Sequence, residues 1–311
     1  MRHAFVRALC DSAALDERIF LITGDLGYSV LEPFQNQFPD RFLNIGVAEA
    51  NMITVAAGLS TTGFIPFVYS IAPFASMRPF EQIRNDISFQ NRNVKIIGIG
   101  GGLAYGKAGP THHSFEDIAL MRTLPSIAII NPCDPTETYA ATQAMINHDG
   151  PVYMRLERNP SNILPKLQEE FMIGRGRVVH DIGDIALICT GTKLATAYSA
   201  AAILKTHGID VAIYAFPTLQ PFDYLLLQDI SKRHANIATI EEHSLIGGLG
   251  SLVADFFATS SNAKFPRLLK FGLDPQKSPL AASYENLMEY YELTPEQIAA
   301  TYLAWIRNNT K

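Results

Sequence analysis

The chain has 311 residues, 48% of them hydrophobic and 18% charged. That composition supports about two packed domains and excludes a disordered chain. The formal net charge is −5, with no long run of one sign, so nothing electrostatic favours nucleic acid or an anionic membrane as a partner.

The first stretch, MRHAFVRALCDSAALDERIF, is interrupted by Asp11, Asp16 and Glu17 and has no apolar run of signal-peptide length. No segment reaches the roughly 18 apolar residues of a spanning helix. Cys10, Cys133 and Cys189 are far apart and lack paired metal-ligand spacing. They read as reduced thiols, and the expected location is the cytoplasm.

In chain order, Ala4 to Leu15 carries apolar residues at helical spacing, and Ile19 to Ile22 is a short strand ending in Gly24-Asp25-Leu26-Gly27. Phe42 to Ile45 is a second strand. Ala48 to Thr61 is a helix of small residues, suited to close packing deep in the domain. Phe64 to Tyr69 is strand-like, and Arg78 to Phe89 is helical with charge on one side. Val94 to Ile99 has the pattern of a buried parallel strand and ends in Gly100-Gly101-Gly102. Ile127 to Ile130 is a strand, Thr136 to Asn147 a helix and Val152 to Leu156 a strand.

Asn159 to Gly176 breaks this alternation with Pro160, Pro165, Gly174 and Gly176 among polar residues, as an interdomain linker would. A second alternating unit follows, with strands at Ile185 to Thr190, Asp210 to Ala215, Asn236 to Ile240 and Leu268 to Phe271. Its helices are Ala195 to His207, Phe222 to Lys232, Ser251 to Ala258 and Pro295 to Asn308, the last with Thr294 as N-cap. The expected fold is α/β in two domains, each a mostly parallel sheet with helices on both faces. The domains fall at residues 1–165 and 183–311, joined by a linker at 166–182.

Three motifs could carry chemistry. In Asn44-Ile45-Gly46-Val47-Ala48-Glu49-Ala50-Asn51-Met52, Glu49 stands where a strand turns into the small-residue helix. A carboxyl group there would be poorly solvated and its pKa raised; the alternative is a glutamate favoured by the helix dipole. In Gly109-Pro110-Thr111-His112-His113-Ser114, the histidines lie beyond the carboxyl end of a parallel strand, where such folds bind ligands. They could carry protons or brace the loop. Adjacent residues rarely ligate one ion, and nothing completes a metal set. The third, Gly247-Gly248-Leu249-Gly250, follows a strand and opens a helix. Its amides could receive an anion, although a tight turn is the simpler role.

Together these segments resemble the C-terminal half of a transketolase, over nearly the whole chain. The resemblance is carried by Gly24-Asp25-Leu26, GVAEANM (Gly46 to Met52), FEQIRNDI (Phe80 to Ile87), GPTHH (Gly109 to His113), DIALMRTLPSIAIINPCDPTET (Asp117 to Thr138), GPVYMRLERNP (Gly150 to Pro160) and EEHSLIGGLGS (Glu241 to Ser251). It implies a pyrimidine-binding domain followed by the transketolase C-terminal domain, with thiamin diphosphate as cofactor. Glu49 is then the catalytic glutamate, whose proton bonds N1′ of the aminopyrimidine and lets the cofactor's own amino nitrogen take the proton from C2. Phe74 matches the ring that stacks on the pyrimidine, with Ile71 and Asp25 also at the cofactor. His112 matches the histidine facing the reacting carbons, and Arg2, Ser29 and Arg158 match positions that bind a substrate's terminal phosphate.

The chain departs from the family pattern in three places. Ile71 stands where an aromatic ring is usual. Ala108 replaces an aspartate that reads a sugar hydroxyl. Gly100 and Gly101 offer no histidine beside the phosphate. These leave the substrate open. The family's Gly-Asp-Gly…Asn motif, which holds the diphosphate through Mg²⁺, is not matched by Gly24-Asp25-Leu26 or His148-Asp149-Gly150. A partner N-terminal subunit is therefore expected to supply that motif, in an α2β2 assembly acting on small sugars. The alternatives are the beta subunit of a 2-oxoacid dehydrogenase, a 1-deoxyxylulose-phosphate-synthase-like enzyme, or a non-catalytic scaffold subunit.

Overall fold

The structure is a computed structural model describing residues 1–157, 170–183, 185–260 and 266–307. The first unit runs α1 (Arg2–Ala13), β1 (Ile19–Thr23), α2 (Glu32–Gln37), β2 (Phe42–Asn44), α3 (Glu49–Thr61), β3 (Ile65–Ile71), α4 (Ala72–Ser76), α5 (Phe80–Gln82), β4 (Lys95–Ile99), α6 (Asp117–Arg122), β5 (Ala128–Ile130), α7 (Pro135–Asn147) and β6 (Val152–Leu156). The second runs β7 (Arg177–His180), β8 (Ile185–Cys189), α8 (Lys193–Thr206), β9 (Val211–Ala215), β10 (Thr218–Gln220), α9 (Tyr224–Arg233), β11 (Asn236–Ser244), α10 (Leu249–Thr259), β12 (Arg267–Leu273), α11 (Tyr284–Tyr290) and α12 (Pro295–Arg307). The expected α/β architecture is present: a seven-stranded sheet ordered β10-β5-β6-β4-β3-β1-β2 and a five-stranded sheet ordered β12-β11-β8-β9-β7.

Strands β1 to β6 pair in parallel. Alternate residues of each strand feed two cores. Leu21, Phe67, Tyr69, Ile97 and Ile99 face α1 and α7 through Phe5, Leu9, Ala141 and Met145. Ile22, Val68 and Ile96 face α3 through Met52, Ile53 and Ala56. Burial on both faces is why these strands carry few polar residues. In the second sheet, Leu187, Cys189, Ile213 and Ala238 pack on α8 and α12. Its other face, with Ile188, Ala212 and Tyr214, joins the same core as α3. Helix α12 opens on a capping box: Thr294 Oγ1 accepts from Gln297 N (3.3 Å), and Gln297 Oε1 accepts from Thr294 N (3.4 Å).

Several elements differ from expectation. The helix expected over Arg78 to Phe89 is present over residues 80–88, but only α5 is α-helical and Ile83–Ser88 continues it as a π-helix. Pro79 lacks an amide to donate, so no regular ladder runs in from α4. Within the 166–182 segment read as linker, Arg177–His180 is strand β7, antiparallel to β9. Strand β10, from the second unit, pairs antiparallel with β5 and closes the edge of the first sheet. Helix α3 is not buried all round: Ala50, Asn51, Thr54 and Gly58 are exposed.

Candidate active site

The register of the first sheet sets the site. Thr23 lies opposite Asn44 and Tyr69, Ile71 opposite Ile99, and Ile99 opposite Leu156. The carboxyl ends of β1, β2, β3, β4 and β6 therefore open on one edge, the usual ligand edge of a parallel sheet. The side chain of Asn44 ties two of the loops there. Its Oδ1 accepts from Asp25 N (2.9 Å) and from Gly46 N (3.1 Å). Gly46, at φ 75°, turns the chain toward α3.

Glu49 is the first residue of α3, and only 5% of it is exposed. Burial is as expected. Arg78 Nη1 donates to both carboxylate oxygens at 3.1 Å, and the arginine itself is 50% exposed. That countercharge, 29 residues away in sequence, was not part of the sequence reading.

The same guanidinium lies 4.0 Å over the ring of Phe74, which α4 presents immediately after β3. The His112 ring meets Phe74 edge-on at 5.2 Å and 68°, and Tyr105 lies 5.9 Å from His112. Thr111 Oγ1 and His112 Nδ1 are 3.0 Å apart. Glu49, Phe74 and His112 thus converge, with Arg78 as the link the sequence did not reveal. The paired histidines differ in their surroundings. His113 is buried, with Nε2 3.0 Å from Gly106 O and its ring stacked on Phe115, so it braces the loop. Burial lowers its pKa. Ile71, the last residue of β3, is half-buried against the sheet core, and Ala108 is exposed at the end of a 3-10 turn.

Asp25 and Ser29 follow β1 at the same edge. Asp25, in a left-handed conformation (φ 57°), accepts from Tyr28 Oη at 2.6 Å and from Asn44 Nδ2 at 3.4 Å. These bonds hold its pKa down. Ser29, also left-handed (φ 63°), is exposed, and its amide donates to Glu32 Oε1 (2.7 Å). Arg2 opens α1, and its charge reaches the buried Tyr69 hydroxyl, whose pKa burial nonetheless raises. Arg158 lies outside the described residues.

Beneath the loop that carries His112 is a buried ionic cluster that the sequence reading missed. Fully buried Arg155 donates to Asp117 Oδ2 (3.0 Å), Glu157 Oε1 (3.0 Å), Ser114 O (3.1 Å) and Glu242 O (2.8 Å). Glu242 accepts from Leu103 N (2.7 Å), Tyr284 Oη (2.6 Å) and Lys193 Nζ (2.8 Å). Burial raises the pKa of Glu157, and the Lys193 ammonium helps hold Glu242 down. The start of the 102–114 loop is thereby tied directly to Glu242 of the second unit, and its end to Arg155, which itself bonds Glu242. The sequence did offer a signal: Arg155 and Glu157 stand two apart, on one side of an otherwise apolar strand. The amides of the glycine run 247–250 do find an acceptor, but an internal one, the Glu241 carboxyl group. Glu241 accepts from Leu249 N and Gly250 N at 2.7 Å each, and burial pushes its pKa up to about 7.

Two family profiles cover almost the whole chain. Residues 1–162 match the transketolase pyrimidine-binding domain, and residues 174–298 match the transketolase C-terminal domain. The chain belongs to the transketolase family. Its two domains are those of a transketolase C-terminal section. A putative transketolase C-terminal section of Methanocaldococcus jannaschii is 37% identical over 303 residues, covering 96% of this chain and 94% of that one. A 6-deoxy-6-sulfo-D-fructose transketolase subunit of a Clostridium species is 36% identical over 256 residues, covering 82% and 80%. A solved split-gene transketolase, described as an inactive β4 tetramer, superimposes with a TM-score of 0.85 at 36% identity, covering 96% and 95%. Among the described residues of this transketolase-family chain, no three His, Cys, Asp or Glu side chains are grouped to hold a metal, and no helix is long and apolar enough to cross a membrane.

Proposed function

We propose that the chain is the catalytic C-terminal subunit of a two-chain transketolase. It moves a two-carbon ketol unit from a ketose, or ketose phosphate, to an aldehyde acceptor. The observation that carries this reading is the convergence of a buried carboxylate, an aromatic face and a histidine edge at Glu49, Phe74 and His112. That set fits the aminopyrimidine half of thiamin diphosphate, which when bound supplies the carbon nucleophile and electron sink for ketol transfer.

The roles of this chain's residues follow. Glu49 holds a proton at the pyrimidine nitrogen. Phe74 offers the ring face, with Ile71 and the Asp25 loop flanking it. His112 stands over Phe74, placed to move a proton at the substrate oxygen. Arg2 and Ser29, together with Arg158 as the resemblance assigns it, would bind the anionic end of the substrate. An arginine fork suits a phosphate or sulfonate there, and one relative is named for a sulfo-fructose substrate.

Mg²⁺ and the diphosphate fall to a partner N-terminal subunit carrying Gly-Asp-Gly…Asn, in an α2β2 assembly. The split-gene neighbour described as inactive is a tetramer of one chain type, which accords with activity that requires both. Residues 1–165 are read as the pyrimidine-binding domain, and the C-terminal domain begins with β7 at Arg177 rather than at residue 183. The three cysteines, all buried and free, accord with a reducing cytoplasm.

The test is to purify the chain with its N-terminal partner, thiamin diphosphate and Mg²⁺. Donor ketose phosphates and pyruvate are then offered separately with an aldehyde acceptor. Ketol transfer without carbon dioxide release is expected. Carbon dioxide release from pyruvate would favour the decarboxylating alternatives. No turnover with either, despite bound cofactor, would favour a scaffold.

A further inference from the structure

The Arg78 side chain has no part in the function proposed above, yet it touches both groups that the cofactor would need. Its Nη1 bonds both oxygens of Glu49 at 3.1 Å, and its guanidinium lies 4.0 Å over the Phe74 ring. Because one planar group does both, the ring face it covers is the face turned toward Glu49. An aminopyrimidine hydrogen-bonded to Glu49 and stacked on Phe74 needs the same carboxylate oxygen and the same face. The two occupants exclude one another. They share a shape, not a hydrogen-bond direction: each offers a flat π surface to a ring and a nitrogen to Glu49, the guanidinium as donor to the carboxylate and the pyrimidine N1′ as acceptor of the glutamate's proton.

We propose that Arg78 is the internal occupant of the pyrimidine subsite, held there until the cofactor displaces it, and that it thereby sets the affinity for thiamin diphosphate. This rests on the assignment of Glu49 and Phe74 to the pyrimidine. The exchange is physically feasible in both directions. Glu49 is almost wholly buried, and a buried carboxylate left without a partner is strongly unfavourable. The arginine supplies that partner before cofactor arrives. Arg78 is half exposed, so its long side chain can swing into solvent without disturbing a core. Pro79 follows it directly and restricts its backbone, which leaves the side-chain torsions to make the movement. The displaced state gives up one ion pair and one ring contact; the cofactor restores the ring contact by stacking, and a hydrogen bond from Glu49, which takes up a proton from solvent in the exchange, replaces the ion pair.

A ligand that competes with an internal group binds more weakly by the fraction of molecules in which the group stays in place. The experiment titrates thiamin diphosphate, in excess Mg²⁺, into the assembled apo complex of the full chain with its N-terminal partner, by calorimetry. Arg78→Gln is expected to bind the cofactor roughly three- to tenfold more tightly than wild type, and Arg78→Lys by less, since one amine cannot fork. The melting temperature of the apo complex falls in Arg78→Gln, and the cofactor raises it by more than in wild type. The gain in affinity shrinks when Glu49→Gln is combined with Arg78→Gln. Equal or weaker cofactor binding in both Arg78 variants would overturn the proposal and make Arg78 a support for Glu49. If Glu49→Gln alone leaves both cofactor affinity and turnover at wild-type values, the pyrimidine assignment itself fails and the proposal falls with it.

Discussion

Replacing Arg155 by methionine tests whether the buried ionic cluster holds the catalytic loop. The guanidinium is fully buried and makes four hydrogen bonds, to Asp117, Glu157 and the carbonyls of Ser114 and Glu242. Methionine fills most of the volume but supplies no donor. Asp117 keeps the Tyr153 hydroxyl (2.7 Å), and Glu157 keeps the Thr192 amide (3.0 Å). Neither is then faced by the cation that now pairs with both. Lys193, bonded to Glu242 at 2.8 Å, becomes the nearest remaining positive charge of the cluster. Breaking a buried pair by removing one partner costs about 3–5 kcal/mol. Urea unfolding of the chain, followed by circular dichroism, should show a loss of that order. The activity of the assembled enzyme should fall by more than its folded fraction, because Ser114, two residues from His112, loses its bond to Arg155 and keeps only its bridge to Gly102. Adding Asp117→Asn and Glu157→Gln should recover part of the stability. A loss below about 1 kcal/mol, with the loop's activity intact, would refute the assignment of the cluster as its support.

Two further outcomes follow from the turn that closes on Glu241. A methyl group at Gly248 would collide with the Glu241 carboxylate and come within 2.7 Å of His243 Nδ1, so Gly248→Ala should destabilise the chain by about 1–3 kcal/mol in urea unfolding. The second concerns pH. Burial lowers the His243 pKa to about 4, while Nε2 accepts from Ala119 N and Nδ1 donates to Ser244 O. The unfolded histidine, near pKa ~6.5, takes up a proton that the folded one refuses, so this term costs stability as pH falls from about 6.5 toward 4. Glu241, raised to about 7, holds a proton that the unfolded glutamate releases, so its term adds stability as pH falls from about 7 toward the unfolded glutamate value. The two oppose each other in wild type. Glu241→Gln removes the second term, and unfolding measured from pH 7 to 5 should show a steeper acid loss than in wild type.

The fold was legible because it is periodic. Runs such as Ile185 to Thr190, closed by turns and separated by helical spacing, specify a parallel sheet without reference to anything distant. Glu49 and His112 stand in contiguous motifs and Phe74 was named from the resemblance alone; the structure brings the three side chains near one another through Arg78. What escaped was made by distance in sequence. Arg78 and Glu49 are partners 29 residues apart, and Arg155 and Glu242 are 87 apart. No local pattern announces such pairs. Strand β10 joined the first sheet for a related reason. Thr218 to Gln220 is too short to carry periodicity, and its place is set by pairing with Ile129 and Ile130. The π-helix at Ile83–Ser88 kept the apolar spacing of an α-helix, so the sequence could not separate the two.

Glu49→Gln is the most direct test of the central claim that this chain supplies the proton-holding carboxyl group of a thiamin diphosphate transketolase. The amide keeps the size of the side chain and loses the acid. Steady-state ketol transfer is measured in the complex reconstituted with the N-terminal subunit, with assembly checked by size-exclusion chromatography. Assembly should be unchanged, and kcat should fall by roughly 10²–10⁴-fold, the usual worth of a positioned proton carrier. Unchanged turnover in the assembled variant would contradict the account.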